Sequence, residues 1–211
     1  MKKKSLALVA IAVLMVASIA TAVTLAYFTD TKTAKNTFTV GNVKIELTEE
    51  GWTQSGEVFT KDVKAVPGFA IDKAPTIKNT GDNAAYIRAK VTINHKSLFN
   101  GKAYDILKAK GDGWNLNEAR TTENGDTITY VYEYKDRVEP NTVALPPVFE
   151  KVTLPTTFNN DDLKALSTGD AFAITVVAEA IQADGLTAEA GQTAADVAFA
   201  QLNAAAATPA P

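Results

Sequence analysis

The sequence predicts an all-β protein, an antiparallel jelly roll or β-sandwich with a few short helices. Three observations predict this class: apolar and polar residues alternate in several segments, clusters of turn residues separate those segments, and helical periodicity is sparse. Of the 211 residues, 46% are hydrophobic and 21% are charged, which is the composition of a folded domain. Short strands separated by turns favour antiparallel sheets, so we expect two such sheets packed face to face.

The clearest strand signal covers residues 86–94, whose alternate positions are Ile87, Ala89, Val91 and Ile93. Polar residues stand between them, as in a strand with one buried face. Residues 43–47 alternate in the same way. The alternation changes parity at Gly41-Asn42, which predicts a bulge or bend there.

Four further segments are predicted to be strands: residues 76–79, 127–134, 148–154 and 171–181. The last is apolar on both faces, which is typical of a central strand covered on both sides. Asn124 and Gly125 precede an alternating segment, and both tolerate a positive φ. They predict a hairpin with a type I′ turn.

Helix is predicted in two places. Residues 104–110 are expected to form about two turns, and a second helix is expected over residues 194–206. Thr193 would cap the second helix, and Asp196, three residues later, completes a capping box.

The first 26 residues have the three-part plan of a secretory signal peptide. Three lysines precede an apolar run over residues 6–17, and small residues follow. Thr24 and Ala26 fit the small-residue rule for cleavage, so we expect the cut between Ala26 and Tyr27, with cleavage after Thr24 as the alternative. An uncleaved membrane anchor is the competing interpretation, but the strictly apolar run of 12 residues is short for a span.

Charge and cysteine content exclude several functions. The net charge of −3 falls to −6 once the three leader lysines are removed, which argues against nucleic acid as the main partner. The absence of cysteine excludes a thiol nucleophile and a disulfide framework. An exported chain of this size must then rely on packing and hydrogen bonding for its stability.

No motif predicts a catalytic residue, a metal site or a cofactor. His95 is the one histidine, it ends a strand, and no HExxH helix is present. Asp161-Asp162 and Gly111-Asp112-Gly113 lack the ladder of a calcium loop and are interpreted as solvated turns. The tyrosines of residues 130–134 could form a stacking platform, but packing between sheets is the preferred interpretation.

Several segments, in the same order, resemble the TasA/camelysin (CalY) family of bacterial biofilm-matrix proteins. They are the stretches TLAYFTD at 24–30, NTFTVGNVKIEL at 36–47, AYIRAKV at 85–91 and AEAIQADG at 178–185. Precursors in that family are cut by a signal peptidase of the SipW type. The resemblance implies a secreted jelly-roll protein of the extracellular matrix, polymerised head to tail into fibres by donor-strand exchange.

Carried onto this chain, the donor segment freed by cleavage would be residues 27–40. Its polymerisation residues would be Tyr27, Phe28, Ala34, Phe38 and Val40. The implied organisation is a signal peptide over 1–26, the donor over 27–40, the β domain over 41–185, and a C-terminal helix and tail over 186–211. The implied partners are further copies of the chain, a SipW-type signal peptidase, and an anchor or minor fibre subunit.

The energetics of such a donor strand are modest. Burying the side chains of Phe28, Phe38 and Val40 contributes about 1.5–3 kcal/mol each. Association costs about 4–15 kcal/mol of lost freedom. Backbone pairing and a neighbouring surface must therefore add to the apolar contribution.

Two other functions remain open at this point. One is a cell-surface binding or adhesion module that presents loops, such as residues 101–117, to a glycan or host partner. The other is a metallopeptidase, the class to which camelysins have also been assigned. The single histidine and the missing HExxH motif argue against it.

Overall fold

The computed structural model describes residues 29–33, 36–37, 43–55, 58–60, 66–100, 102–141, 143–167 and 172–207. Within these ranges the chain is mostly β-strand, every strand pairing is antiparallel, and there are two α-helices. The prediction of an all-β fold with antiparallel sheets is confirmed.

The elements follow one another along the described chain. The strands are β1 (Thr29–Thr33), β2 (Asn36–Thr37), β3 (Ile45–Glu49), β4 (Thr53–Ser55), β5 (Val58–Thr60), β6 (Ala70–Asp72), β7 (Pro75–Asn79), β8 (Ala85–Asn94), β9 (Leu107–Lys108), β10 (Trp114–Leu116), β11 (Thr122–Asn124), β12 (Thr127–Tyr134), β13 (Lys151–Thr153) and β14 (Ile174–Gln182). The α-helices are α1 (Asn160–Ser167) and α2 (Ala194–Ala207), and short 3-10 helices cover Lys96–Phe99, Ala103–Ile106 and Glu118–Arg120.

The largest sheet has seven strands, in the order β10-β12-β8-β14-β1-β2, with β11 also paired to β12. Three smaller sheets are β6-β13-β9, β3-β7 and β4-β5. The first and the last strand of the described chain, β1 and β14, are neighbours in the large sheet. β14 therefore has β8 on one side and β1 on the other.

One large apolar cluster joins the large sheet to the β3-β7 and β6-β13-β9 sheets. The alternate residues of β8 that the sequence assigns to a buried face all enter it and are fully buried. Its members on the other strands include Ile45, Ile77, Tyr130, Val152, Val176 and Ala178. Strand alternation thus brings the inner faces of these sheets into one core.

The terminal helix α2 packs on the opposite side of the large sheet. Its buried residues Ala198, Phe199 and Leu202 contact Ile181 of β14, and the Phe199 ring lies edge-on to that of Tyr86. The predicted capping box is present. The Thr193 backbone N–H donates to Asp196 Oδ2 (2.8 Å), and the Asp196 backbone N–H donates to Thr193 Oγ1 (3.1 Å).

The predicted helix over residues 104–110 is wrong. A 3-10 turn covers Ala103–Ile106, and the chain then forms strand β9, which pairs with β13. Ala109, with a φ of 55°, ends that strand in the left-handed region. Tertiary pairing with β13 outweighs the local helical pattern.

Two other predictions need correction in detail. The predicted hairpin exists between β11 and β12, but its central residues are Gly125 and Asp126, and among them only Gly125 has a positive φ (56°). That pattern is typical of type II′ and not type I′. The predicted strand over 148–154 shortens to β13, because the preceding segment hydrogen-bonds beside β7, with Val148 N–H donating to Pro75 O (2.9 Å).

Candidate functional site

The outer edge of β14 is the feature that relates most directly to the predicted donor segment. Strand β1 pairs antiparallel with this edge, with Thr29 opposite Ile181 and Lys32 opposite Ala178. Strand β3 of a smaller sheet also comes within 8 Å of β1 and β14, Cα to Cα. Strand β1 therefore covers the outer edge of β14 close to β3, and we call this edge together with the neighbouring β3 the terminal groove.

The interior of the terminal groove is apolar. Val43 and Ile45, in and just before β3, are fully buried, and so are Ala178 and Ala180 of β14.

In the β1–β14 register, two charged residues of β1 stand opposite buried alanines of β14. Asp30 is opposite Ala180, and Lys32 is opposite Ala178. Residues that face each other in an antiparallel pair lie on the same side of the sheet. The register therefore pairs Asp30 and Lys32 with buried alanines of β14, and it pairs Thr29 and Thr31 with Ile181 and Glu179.

Of the predicted polymerisation segment, residues 27–40, the structure describes Thr29–Thr33 and Asn36–Thr37. The predicted cleavage site at Ala26 and Tyr27 lies outside the described residues, and so does the predicted bend at Gly41-Asn42. The remaining predicted site residues outside them are Phe28, Ala34, Phe38 and Val40.

The two described pieces of this segment form a hairpin. Lys32 is opposite Thr37, and Thr33 is opposite Asn36. The chain reverses direction between them. Residues 27–40 consequently cannot be one continuous extended strand while β1 and β2 are paired.

The far side of β14 carries a charged group that the sequence prediction missed. Glu179 is buried, and its carboxylate binds two cations: Arg88 Nε at 2.5 Å and Lys90 Nζ at 2.6 Å. Arg88 lies opposite Glu179 in the β8–β14 register, and it is itself buried. The alternation places Arg88 on the polar face of β8, but α2 covers that face. The sequence feature that could have predicted this buried charge is the single glutamate within the apolar stretch 176–181.

Helix α2 is tied to this charge pair by hydrogen bonds. Arg88 Nη1 donates to Asn203 Oδ1 (2.7 Å), and the backbone carbonyl of Phe199 accepts from both Arg88 and Arg120 (3.4 Å each). Arg120 also lies 3.0 Å from Glu133, which faces Arg88 across the β8–β12 pair. A row of charges thus crosses the sheet beneath α2 and ends at the β1 edge.

A second buried ion pair fastens the β3 wall of the terminal groove. Glu49, at the end of β3, accepts two hydrogen bonds of 2.7 Å from Lys73 Nζ, which also lies 4.4 Å from the Trp52 ring centroid. Burial lowers the pKa of Lys73, and the charge of Glu49 opposes that shift. Buried ion pairs therefore lie both in β14, at Glu179, and at the end of β3, at Glu49.

The tyrosine row of β12 belongs to the core. Tyr130 and Tyr132 are buried and Tyr134 is half-buried, so the packing interpretation is confirmed. Burial raises the pKa of Tyr132 to about 12. Tyr130 OH accepts the backbone N–H of Tyr104 at 3.2 Å.

Two of the remaining candidate residues lie at the ends of elements. His95 directly follows β8 with a φ of 55°, and Asp162 Oδ2 accepts the backbone N–H of Asn159 at the start of α1. Within the described ranges, no group of three or more His, Cys, Asp or Glu side chains is placed to hold a metal ion.

No helix in the described part of the chain has the length and apolar content needed to span a bilayer. Compared with protein-family models, with curated proteins and with solved structures, the chain finds no match.

Proposed function

We propose that this chain is a secreted structural subunit with a jelly-roll domain that polymerises into extracellular matrix fibres by donor-strand exchange. One observation carries the proposal: a strand from the predicted donor segment, β1, completes the outer edge of β14. A strand that can fill this edge within its own chain can fill the same edge of another copy, since the pairing uses main-chain hydrogen bonds.

The apolar residues of the predicted donor support a second, extended pairing besides the closed one. The predicted apolar donor residues Phe28, Ala34, Phe38 and Val40 share one parity with each other, so they would line one face only if residues 27–40 ran as a single strand.

Exchange then requires the β1–β2 hairpin to open. In the closed subunit the hairpin reverses the chain after Thr33, whereas the extended donor continues in one direction. Each subunit has one donor and one groove, and such a head-to-tail contact gives an open filament. Export and removal of residues 1–26 would free the donor, with a SipW-type signal peptidase as the processing partner.

A reversible disulfide tests the proposal, because the chain contains no cysteine of its own. Asp30 and Ala180 face each other, and facing Cα atoms about 4.5–5.5 Å apart suit a disulfide. Oxidised D30C/A180C protein should stay monomeric by size-exclusion chromatography, and it should form filaments under the electron microscope after reduction. The single variant D30C is the control. Filaments from the oxidised double variant would contradict strand exchange, and a wild-type protein that stays monomeric at every concentration would contradict fibre formation.

A surface-binding module is the second candidate function, and one observation favours it. The connection between β8 and β10, which includes much of the predicted loop at residues 101–117, forms one wall of an open groove of about 510 Å³. Grooves of roughly 300–1,000 Å³ are the usual size of ligand sites. Concentration-dependent growth of the exported protein would favour the fibre subunit, and a stable monomer that retains a matrix ligand would favour the module.

A further inference from the structure

The open groove beside the β8–β10 connection is apolar at its base. It runs between the 3-10 helices at 96–106 and the segment 153–158, and we call it the lysine-rimmed groove. Its apolar lining includes Leu98, Phe99, Ile106, Leu154 and Phe158. The rings of Phe99 and Phe158 are 5.4 Å apart, so the base presents an aromatic surface.

The rim of this groove is cationic on a protein that is acidic as a whole. Residues 96–110 contain four lysines and one acidic residue, while the whole chain carries a charge of −3. Lys102, Lys108 and Asp105 line the groove, so its cations outnumber its one carboxylate, and within the described residues neither lysine has an ion-pair partner. Unpaired lysines above an apolar base fit an occupant that joins an apolar anchor to an acidic group.

Such an anchor stands beside the groove on the same molecule. Phe69 is 71% exposed, in a turn closed by the bond from Phe69 N–H to Val66 O (3.1 Å). Gly68 N–H donates to Leu154 O (3.0 Å), and a Cβ on Gly68 would lie 3.0 Å from the Thr156 methyl group. Leu154 and Thr156 line the groove, so the Phe69 turn forms part of its border.

The acidic group follows the anchor by three residues. The Asp72 side chain is 79% exposed at the end of β6, and its carboxylate is 4.0 Å from Lys151 Nζ, the outer limit of an ion pair. One edge of the molecule therefore carries two features. One is an aromatic anchor followed by a largely exposed carboxylate, which forms a long ion pair with Lys151, and the other is an apolar groove with two unpaired lysines. In a dimer with a two-fold axis, the anchor of each copy enters the groove of the other copy, so both sets of contacts form at once.

We propose that a second copy of this chain occupies the lysine-rimmed groove, with its Phe69 in the groove and its Asp72 at Lys102 and Lys108. This sideways contact uses none of residues 27–40, and it does not depend on strand exchange. Exposed apolar side chains grouped at one site are typical of protein interfaces. Phe69 and Val66 lie at this edge, and the exposed Tyr104 belongs to the 3-10 helix of the groove wall.

Cross-linking tests the contact, since the chain has no native thiol. One chain carries A70C, next to the anchor, and a size-tagged second chain carries T156C, on the groove border. Both positions are exposed. On mixing and mild oxidation we expect a mixed disulfide dimer on a non-reducing gel. A V143C chain replaces the A70C chain as the control, because Val143 is 89% exposed and lies outside the groove lining.

Removing the anchor and reversing the charges complete the test. Adding F69A to the A70C chain should slow formation of the mixed dimer by about tenfold, the usual effect of losing an apolar anchor. K102E/K108E in the T156C chain should slow it similarly, and D72K in the A70C chain should then restore it. A mixed dimer that forms no faster than with V143C, or at an unchanged rate with F69A, would overturn the proposal. Circular dichroism of each variant verifies that it is folded.

Discussion

The two flanks of the β8–β14 strand pair are built differently. On one flank β12 pairs with β8 from Thr127 to Glu133 and contributes buried tyrosines to the core. On the other flank the five-residue β1 pairs with β14 and sets charged positions against alanines. The difference teaches that the two flanks rest on different chemistry, since β12 adds buried aromatic side chains to the core whereas β1 is a short strand of threonine, aspartate and lysine.

The largest effect is expected on the β12 flank, at Trp114. This residue is fully buried, packs edge-on against Tyr134 and donates from Nε1 to Pro146 O (2.7 Å). W114A should lower the free energy of unfolding in urea by about 3–5 kcal/mol. Val143 is exposed, so V143A should change it by less than about 0.5 kcal/mol. If removing β1 destabilised the protein more than W114A, the two flanks would not differ as described.

The next effect is expected at the charge pair between the flanks. E179Q removes the carboxylate that neutralises Arg88 and Lys90, and it should cost about 3 kcal/mol, because a buried cation is left without its partner. R88M should cost a similar amount. The double variant R88M/E179Q should cost clearly less than the sum of the two in a urea double-mutant cycle. Additive losses would show that the pair is not coupled.

A smaller effect of pH is expected from Tyr132 on the β12 flank. Its folded pKa is raised to about 12 by burial, whereas an unfolded tyrosine titrates near pH 10. Stability from the protonated phenol is therefore fully present below pH 10, and about 2–3 kcal/mol of it is lost as the pH rises to about 12. Y132F should lose that much less between pH 8 and pH 12 in urea titrations. Equal losses in both proteins would assign the alkaline sensitivity to other groups.

The smallest effect is expected on the β1 flank. D30V/K32V replaces the two charged positions opposite Ala180 and Ala178 with β-branched apolar residues. The variant should raise the free energy of unfolding by about 0.5–1 kcal/mol, the range of strand preferences. T29V/T31V changes the other side of the same strand and serves as the matched control. If the free energy of unfolding rose more in T29V/T31V than in D30V/K32V, the two faces of β1 would be assigned the wrong way round.

Sequence patterns predicted the elements that depend on local chemistry. The alternation in β8 and β12 and the Thr193–Asp196 capping box are short-range signals, and the structure confirms them. The helix expected at 104–110 failed because β9 is fixed by pairing with β13, about 45 residues away, which no local pattern records.

The candidate site was predictable only in part for the same reason. The segment at 27–40 was recognisable from its residues, but its partner edge on β14 depends on topology. Arg88 appeared to be a surface residue because alternation cannot reveal that a helix more than 100 residues later covers it. Buried charges such as Glu179 are recognised only when their partners are known.

The pairing of β1 with β14 also has a consequence for the order of synthesis. Residues 29–33 leave the ribosome early, yet their partner strand begins at Ile174, so this edge cannot close until most of the chain has been made. Contacts so distant in sequence are slow to form. The strand thus waits for its β14 partner during most of chain growth, and the first complete β14 edge that it meets can belong to an older neighbour.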